Sequence, residues 1–502
     1  MTATPLSPES EAILARLRTL READAPTHGG RVLSYVYDSG LAELDELAAQ
    51  AIRIMQPVNG LDPTTFPSVA AMEREVVGFA RRILHGDDSV VGSVTSGGTE
   101  SCLLAVKTAR DLWRAAGGSG TPRLLAPATV HAAFHKAAHY FGLELDLVPV
   151  AADGSADAGE LLARVSADVA LIVVSAPAYP HASLDPIDEV AAAASAAGVP
   201  CHVDACIGGW ALPWWGGVPQ WDFAVEGVTS ISADLHKYGY APKGASVLLH
   251  RGLDRHRAQY FATTRWPGYP VVNPTMMGSK SAGSLAAAWA IIERLGEHGF
   301  ARLTAAMRRA TEALRGVIDG IEGLRVVGAP VGPLFAVETD VAAPAARQVD
   351  PHHWADAVRA HGWLLQQQPG LVQANGVRLA KTTHLTITPV TEGVLGELGT
   401  ALCSGADEVR GVPSAGERDV LASVPAGMLA AAGAGGMDSH TAAAVLAGLG
   451  LGGAGGALPA RMAPVLALME ALPPEVTERL LVELLARLIE PGTDHTPLCD
   501  GA

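Results

Sequence analysis

The chain has 502 residues, 49% apolar and 18% charged, which excludes a disordered polymer and provides for about two to four domains with a large core. Its 36 lysines and arginines stand against 52 acids, a net charge of −16, which argues against general nucleic-acid binding because phosphate backbones need a basic face. Five scattered cysteines without a CxxC pair argue against a disulfide framework or a structural zinc site.

The first 25 residues mix acids and bases without an apolar run, so no secretory signal is expected. Residues 1–60 read as helical segments around a turn at His28-Gly29-Gly30. From about 70 to 300, helix-like stretches (Met72–Leu84, Glu100–Ala116) alternate with short apolar runs (Ala170–Ser175, Cys201–Asp204, Ala245–Leu249). Such alternation predicts an α/β fold, a largely parallel sheet covered by helices on both faces. A helical stretch at Ser284–Leu295 leads into a smaller α/β unit. That unit has a long helix at Ala301–Ile318, strands near Leu324–Val327 and Leu334–Val337, and a β-like run at His384–Ile387.

The expected division is an N-terminal helical segment (1–60), a large domain (61–298), a small C-terminal α/β domain (299–404) and an extension (405–502). In the extension, Ala426–Ala460 is Ala/Gly-rich and reads as loose helices or linker. The uncharged run Thr441–Ala460 carries six glycines and is too weakly apolar to span a bilayer, so the protein is expected to be soluble and cytoplasmic. Glu475–Glu490 places Leu480, Leu481, Leu484, Leu485 and Leu488 on one side of a helix that must dock on something.

Four segments could carry chemistry. Thr95-Ser96-Gly97-Gly98-Thr99-Glu100-Ser101 precedes a helix. Its backbone N–H groups and hydroxyls suit a phosphate, although a simple helix cap reads the same way and the P-loop ending is absent. His131, His135 and His139 share a helical face. Imidazoles one turn apart could share a zinc ion, but no thiolate or carboxylate at helical spacing completes the set, so solvated or core histidines are the better reading and no metal is expected. Asp204 closes the run Cys201-His202-Val203-Asp204, where it could hold a protonated ring nitrogen or cap the next helix. Lys237 lies in the Gly- and Tyr-rich turn Ser230–Gly239, ahead of Lys243. Desolvation there would lower its pKa and leave an amine able to form a Schiff base, although a surface lysine is the plainer alternative. In this order, a phosphate cradle, a stacking histidine, an acid at a strand end and a lysine describe a site for pyridoxal 5'-phosphate.

Ser96–Ser101, Thr129–Phe134, His202–Cys206 with Gly208-Gly209, and Ser230–Gly244 closely resemble the sphingosine-1-phosphate lyase branch of the group II pyridoxal phosphate decarboxylases. Asn59–Met72, around Phe66-Pro67-Ser68, resembles that family's approach to the substrate site. The resemblance covers roughly residues 30–400. It implies the fold type I (aspartate aminotransferase-like) architecture and a homodimer with active sites at the subunit interface. It further implies Lys237 as the Schiff-base lysine, Asp204 on the pyridine nitrogen and His131 stacked on the ring. Gly97, Gly98 and Thr99 would hold the phosphate with His236 near, while Tyr37, Tyr179, Cys206 and Lys243 would line the active site.

One position departs from the pattern: Asp62 stands in Asn59-Gly60-Leu61-Asp62-Pro63 where lyase relatives have histidine. An acid there would repel a substrate phosphate or recognise an amine. The resemblance points first to a carbon–carbon lyase acting on a small-molecule amine, a phosphorylated amino alcohol. The alternative is an L-amino-acid decarboxylase (carboxy-lyase), and Cys206, where decarboxylases more often carry Ala, favours the lyase. Aminotransfer would need an arginine for the substrate carboxylate, with Arg265 and Arg378 as candidates. A catalytically silent scaffold would be expected to lose the lysine or the acid, and both are present. The extension from 405 onward is left unassigned.

Overall fold

Seven short strands make the central sheet of the computed structural model, which describes residues 5–414, 437–448, 451 and 459–491. They are β1 (Val90–Thr95), β2 (Arg123–Pro127), β3 (Glu144–Val148), β4 (Val169–Ser175), β5 (Cys201–Asp204), β6 (Val228–Ala233) and β7 (Ser246–Arg251), in the spatial order β1-β7-β6-β5-β4-β2-β3. The run from β6 through β5, β4 and β2 to β3 is parallel. β7 is antiparallel to both of its neighbours, β1 and β6.

All seven residues of β4 are buried, as a strand covered on both faces requires. Ile172 and Val174 enter the core shared with the helix Ile187–Ala196. Val173 enters a second core with the helices Gly98–Ala115 and Ala132–Phe141. The expected alternation of helices and parallel strands is therefore what the chain forms.

Two helices were expected at Ser284–Leu295 and Ala301–Ile318. Two helices form within Gly283–Asp319, separated at Gly296 by non-helical backbone (φ 53°, ψ −176°). The break lies two residues before the expected 298/299 division. Phe300, just past the break, packs with Phe79, Trp210, Trp214 and Tyr240 against the large sheet's core. Leu314 and Ile318 belong to the next core, with Phe335, Trp354 and Leu385.

The second sheet is antiparallel, in the order Leu324–Val326, Leu334–Thr339, Thr382–Thr386, Gln366–Gln368. Leu33 is buried in this second core while Leu44 and Ala48, on the helix Ala42–Met55, are buried in the first, so residues 30–50 tie the two together.

Of the C-terminal extension, the helices Ser439–Gly448, Ala463–Ala471 and Pro474–Ile489 gather around Ala442, Leu446, Leu468 and Leu480. They attach to the second unit through Asp356, which accepts from the N–H groups of Met462 and Ala463, and through the Arg378–Glu470 ion pair. The leucine stripe differs from expectation. Leu480 and Leu484 turn inward, but Leu481, Leu485 and Leu488 are 38%, 63% and 43% exposed, because the helix packs by one narrow edge. Most of the Ala426–Ala460 stretch lies outside the described residues. Among the described residues no helix is long and apolar enough to cross a membrane.

Candidate active site

A cavity of about 420 Å³ opens at the carboxyl ends of β4, β5 and β6, where parallel sheets bind ligands. Gly97, Gly98, Thr99, His131, Tyr179, Asp204, Cys206, His236, Lys237 and Lys243 all line it. Tyr37 does not: it lines an adjoining cavity of about 330 Å³, which shares His236 and Lys243 with the first. The packing of Tyr37 edge-on against buried Tyr238, 5.0 Å between ring centroids, holds it there.

The glycine loop follows β1 and starts the helix Gly98–Ala115, so the free N–H groups of a helix N-terminus face the cavity. Glu100 braces the loop: one carboxylate oxygen accepts from Ser96 N–H and the other from Met276 N–H, both at 2.6 Å. Gly97 has φ +152°, and a Cβ on Gly98 would lie 2.5 Å from Oδ2 of Asp234 and 2.9 Å from Sγ of Cys206, so only glycine fits.

His131 caps the helix Ala132–Phe141, its Nδ1 accepting from Ala133 N–H at 3.2 Å. Burial lowers its pKa, which favours the neutral ring. His135 and His139 continue along the same helix. Among the described residues the close trio of possible metal ligands is Cys102, Asp204 and Cys206, not the three histidines.

Asp204 ends β5 and is buried. Its Oδ1 accepts from Cys206 N–H at 3.0 Å and from the Ser232 hydroxyl at 3.4 Å. No regular helix begins at this point, so the helix-cap alternative does not apply. Burial raises its pKa, but His131, Cys206 and Lys237 outweigh burial and hold the carboxyl below its ordinary range. The Cys206 thiol is pushed well up by its hydrogen bond with Cys102 and by burial, so it is a neutral group.

Lys237 corrects the expectation of a lowered pKa. Burial does push its ammonium toward neutrality and is the largest single influence, but the Asp234 carboxylate 3.0 Å away, together with Asp204 and the other acidic groups around it, outweighs burial and holds the amine protonated. Asp234 also stands 3.6 Å from His236 Nε2, and its Oδ1 is a buried acceptor without a donor. Asp234 lies within the segment Ser230–Gly239, to which the sequence assigns only the lysine. Its position three residues before a candidate lysine, at the end of a strand, was the available signal. Lys243 has the lowered pKa instead, through burial and the charge of Lys237. It donates to the carbonyls of Tyr35 and His236, and its Nζ lies 4.7 Å from the centre of the Tyr37 ring. Tyr179 stacks on buried His384 at 4.3 Å, and burial keeps its hydroxyl protonated.

The donor set suits a phosphorylated pyridine aldehyde: N–H groups and a hydroxyl for the phosphate, an imidazole for the ring face, a buried carboxylate for a ring N–H, and an amine for the aldehyde. The arginines considered for a carboxylate do not line this cavity. Arg378 is paired with Glu470, and Arg265 sits at the tip of an exposed hairpin. Asp62 spends its carboxylate on the N–H and hydroxyl groups of Thr64 and Thr65, which hold it down to about pKa 2.

Residues 35–317 match the family described as the pyridoxal-dependent decarboxylase conserved domain, and residues 421–487 match a C-terminal domain of pyridoxal-dependent enzymes. The extension is therefore assignable after all. Sphingosine-1-phosphate lyase 1 of Rattus norvegicus is 35% identical over 383 residues, 75% of this chain and 64% of that one, so this chain spans just under two thirds of its length. The sphingosine-1-phosphate lyase of Oryza sativa is 34% identical over 389 residues, covering 75% of this chain and 70% of the rice protein. Among solved structures, the sphingosine-1-phosphate lyase of Burkholderia pseudomallei superposes with a TM-score of 0.73 at 33% identity, over 81% of this chain and 94% of its own. Glutamate decarboxylase of Lactobacillus brevis gives 0.70 at 20% identity over 82% of this chain and 94% of its own, a likeness of fold.

Proposed function

The chain belongs to the pyridoxal-dependent decarboxylase family, in the branch of the sphingosine-1-phosphate lyases, and on that premise we propose that it cleaves the Cα–Cβ bond of a phosphorylated amino alcohol, releasing an aldehyde and phosphoethanolamine. Its fold is the type I architecture of these enzymes and its cofactor is pyridoxal 5'-phosphate. When bound, that cofactor supplies a sink for the electron pair released at the substrate's α-carbon.

Around it the residues divide the work. Gly97, Gly98 and Thr99 at the helix N-terminus, with His236, hold the phosphate. His131 covers the ring face, and the charged Asp204 carboxylate keeps the ring nitrogen protonated. Lys237 carries the amine for the aldehyde, and Cys206 fills the floor as a neutral thiol.

The observation that carries the lyase reading is that Lys243, a second lysine with a lowered pKa, shares the cavity with Lys237 and Asp204. Breaking Cα–Cβ requires a base for the proton of the β-hydroxyl, and a substrate phosphate requires a cation; Lys243 can serve either need. The protonated Tyr179 hydroxyl can return a proton to the α-carbon. Tyr37, whose own hydroxyl burial holds up at about 12, keeps Lys243 in place from the adjoining cavity.

The reading includes a homodimer and a cytoplasmic location. The exposed apolar side chains of Phe261, Trp266, Tyr269 and Val272 on the hairpin after β7 support the first. The free thiols of Cys102, Cys201, Cys206 and Cys403 support the second. Mass-spectrometric analysis of the holoenzyme's products tests the activity. A long-chain aldehyde with phosphoethanolamine from sphingosine 1-phosphate is the expected result. Amine and CO₂ from an amino acid, with the phospholipid untouched, would overturn it in favour of a decarboxylase.

A further inference from the structure

Behind Asp204, on the side away from the cavity, runs a chain of buried polar groups that the proposed chemistry does not use. His202 stands two residues before Asp204 on β5, so both side chains leave the same face of the sheet. On the neighbouring strand β6, Ser230 lies opposite His202 and Ser232 opposite Asp204. His202 Nδ1 is 2.8 Å from Ser230 Oγ, His202 Nε2 is 3.2 Å from Ser232 Oγ, and Ser232 Oγ is 3.4 Å from Asp204 Oδ1. All four side chains are buried, and His202 has no exposed surface at all.

We infer that His202 and Ser232 are positioning residues which orient the Asp204 carboxylate toward the ring nitrogen of the cofactor. The inference rests on the cofactor site proposed above. The carboxylate decides the direction of every proton in the chain. A carboxylate oxygen can only accept, so the Ser232 hydroxyl gives its one proton to Asp204. Ser232 then has only lone pairs left, and His202 must donate to it from Nε2 while Nδ1 accepts from Ser230. The opposite tautomer would leave two oxygens, one of them charged, facing each other without a proton. Burial pushes His202 down to about 4, so the ring is neutral and a single tautomer can persist. The Cys206 thiol lies 3.3 Å from Ser232 Oγ and has one proton, which it can give to that oxygen or to Cys102. Asp204 receives one donor from its own loop and one from the neighbouring strand. A network whose proton directions are all set by one carboxylate fixes geometry, whereas a purely structural role would need only that His202 find some partner.

The test compares the wild-type protein with Ser232→Ala, His202→Leu and His202→Gln. It measures the dissociation constant for pyridoxal 5'-phosphate by dialysis and the pH midpoint of the bound cofactor's visible absorption, with urea unfolding to establish that each variant is folded. Ser232→Ala and His202→Leu are expected to weaken cofactor binding about tenfold or more and to displace the absorption midpoint, the usual scale for a partner behind a ligating group. His202→Gln, whose amide reaches Ser232 with a donor, is expected to recover most of the loss. A folded Ser232→Ala protein with wild-type affinity and absorption would overturn the inference, because the proposed link to Asp204 would then be idle. If the wild-type protein itself takes up no cofactor, the functional reading fails and takes this inference with it, an outcome seen before any variant is made.

Discussion

Nζ of Lys237 lies 3.0 Å from Oδ2 of Asp234, a carboxylate three residues upstream that is almost wholly buried. The pair sets the resting charge of the site: the lysine that must meet an aldehyde as a free amine is held as an ammonium. Removing the counter-charge in Asp234→Asn takes away the strongest opponent of desolvation and leaves Asp204 as the remaining carboxylate, so the pKa falls, by ~1–3 units on the usual scale for an adjacent opposite charge. The pH midpoint for the rate of cofactor uptake, followed by absorbance, is expected to move down by a similar amount. An unmoved midpoint would show that Asp234 does not govern the lysine.

Asp234 also explains the strictness of the glycine loop. In Gly98→Ala the new Cβ would lie 2.5 Å from Asp234 Oδ2, a separation that real side chains do not tolerate, so the carboxylate must swing away. The move disturbs the phosphate cradle and the lysine together. We expect Gly98→Ala to fold, since the clash is with a side chain at the cavity wall. We also expect it to lose cofactor affinity by at least about tenfold, the scale of one misplaced charge-assisted hydrogen bond. Dialysis against pyridoxal 5'-phosphate measures this, and wild-type affinity would mean that the loop relaxes without consequence.

Lys243 and Lys237 are six residues apart and play different parts, so their variants should separate. Lys237→Ala is expected to abolish covalent capture of the cofactor. Lys243→Met should leave capture intact, because Lys243 bonds to the carbonyls of Tyr35 and His236 rather than to the cradle. Its turnover of a phosphorylated amino alcohol should fall about 10–100-fold, as expected for the loss of one charged hydrogen-bonding group. Borohydride trapping reports the first property and aldehyde release the second. Parallel loss of both in Lys243→Met would place Lys243 in cofactor binding instead.

Much of this cavity could be read from the chain because its parts are local. Asp204 at the end of an apolar run, the glycines before a helix and the lysine after a strand are each defined by a few neighbouring residues, and parallel strands bring their carboxyl ends to one edge. The parts that could not be read depend on distances between elements. The sign of the Lys237 shift turns on a 3.0 Å contact. The place of Tyr37 turns on its packing against Tyr238, and the exposure of Leu485 on which edge of its helix meets the rest of the extension. The break at Gly296 falls in the gap between the two helical stretches, where the periodic pattern lapses.

Asp185 supplies a stability test independent of catalysis. It is buried beside the strand that leads to the cavity, with Oδ2 accepting from Ser175 N–H at 2.7 Å and Oδ1 without a donor. Burial, with a smaller push from Asp204 and against the Ser175 bond, raises its pKa to about 7. A carboxyl whose pKa is higher in the folded state than in the unfolded chain holds its proton more tightly when folded. Its contribution to stability therefore falls as pH rises from about 4 through about 7 and is flat above that. Asp185→Asn keeps the acceptor for Ser175 and has no proton to lose. Relative to wild type, the variant is expected to gain about 2–3 kcal/mol in unfolding free energy on going from near pH 5 to near pH 8, read from urea denaturation of both proteins at the two pH values. An equal difference between the two proteins at both pH values would mean that Asp185 is already ionised in the folded protein at pH 5, and that an unseen donor satisfies Oδ1.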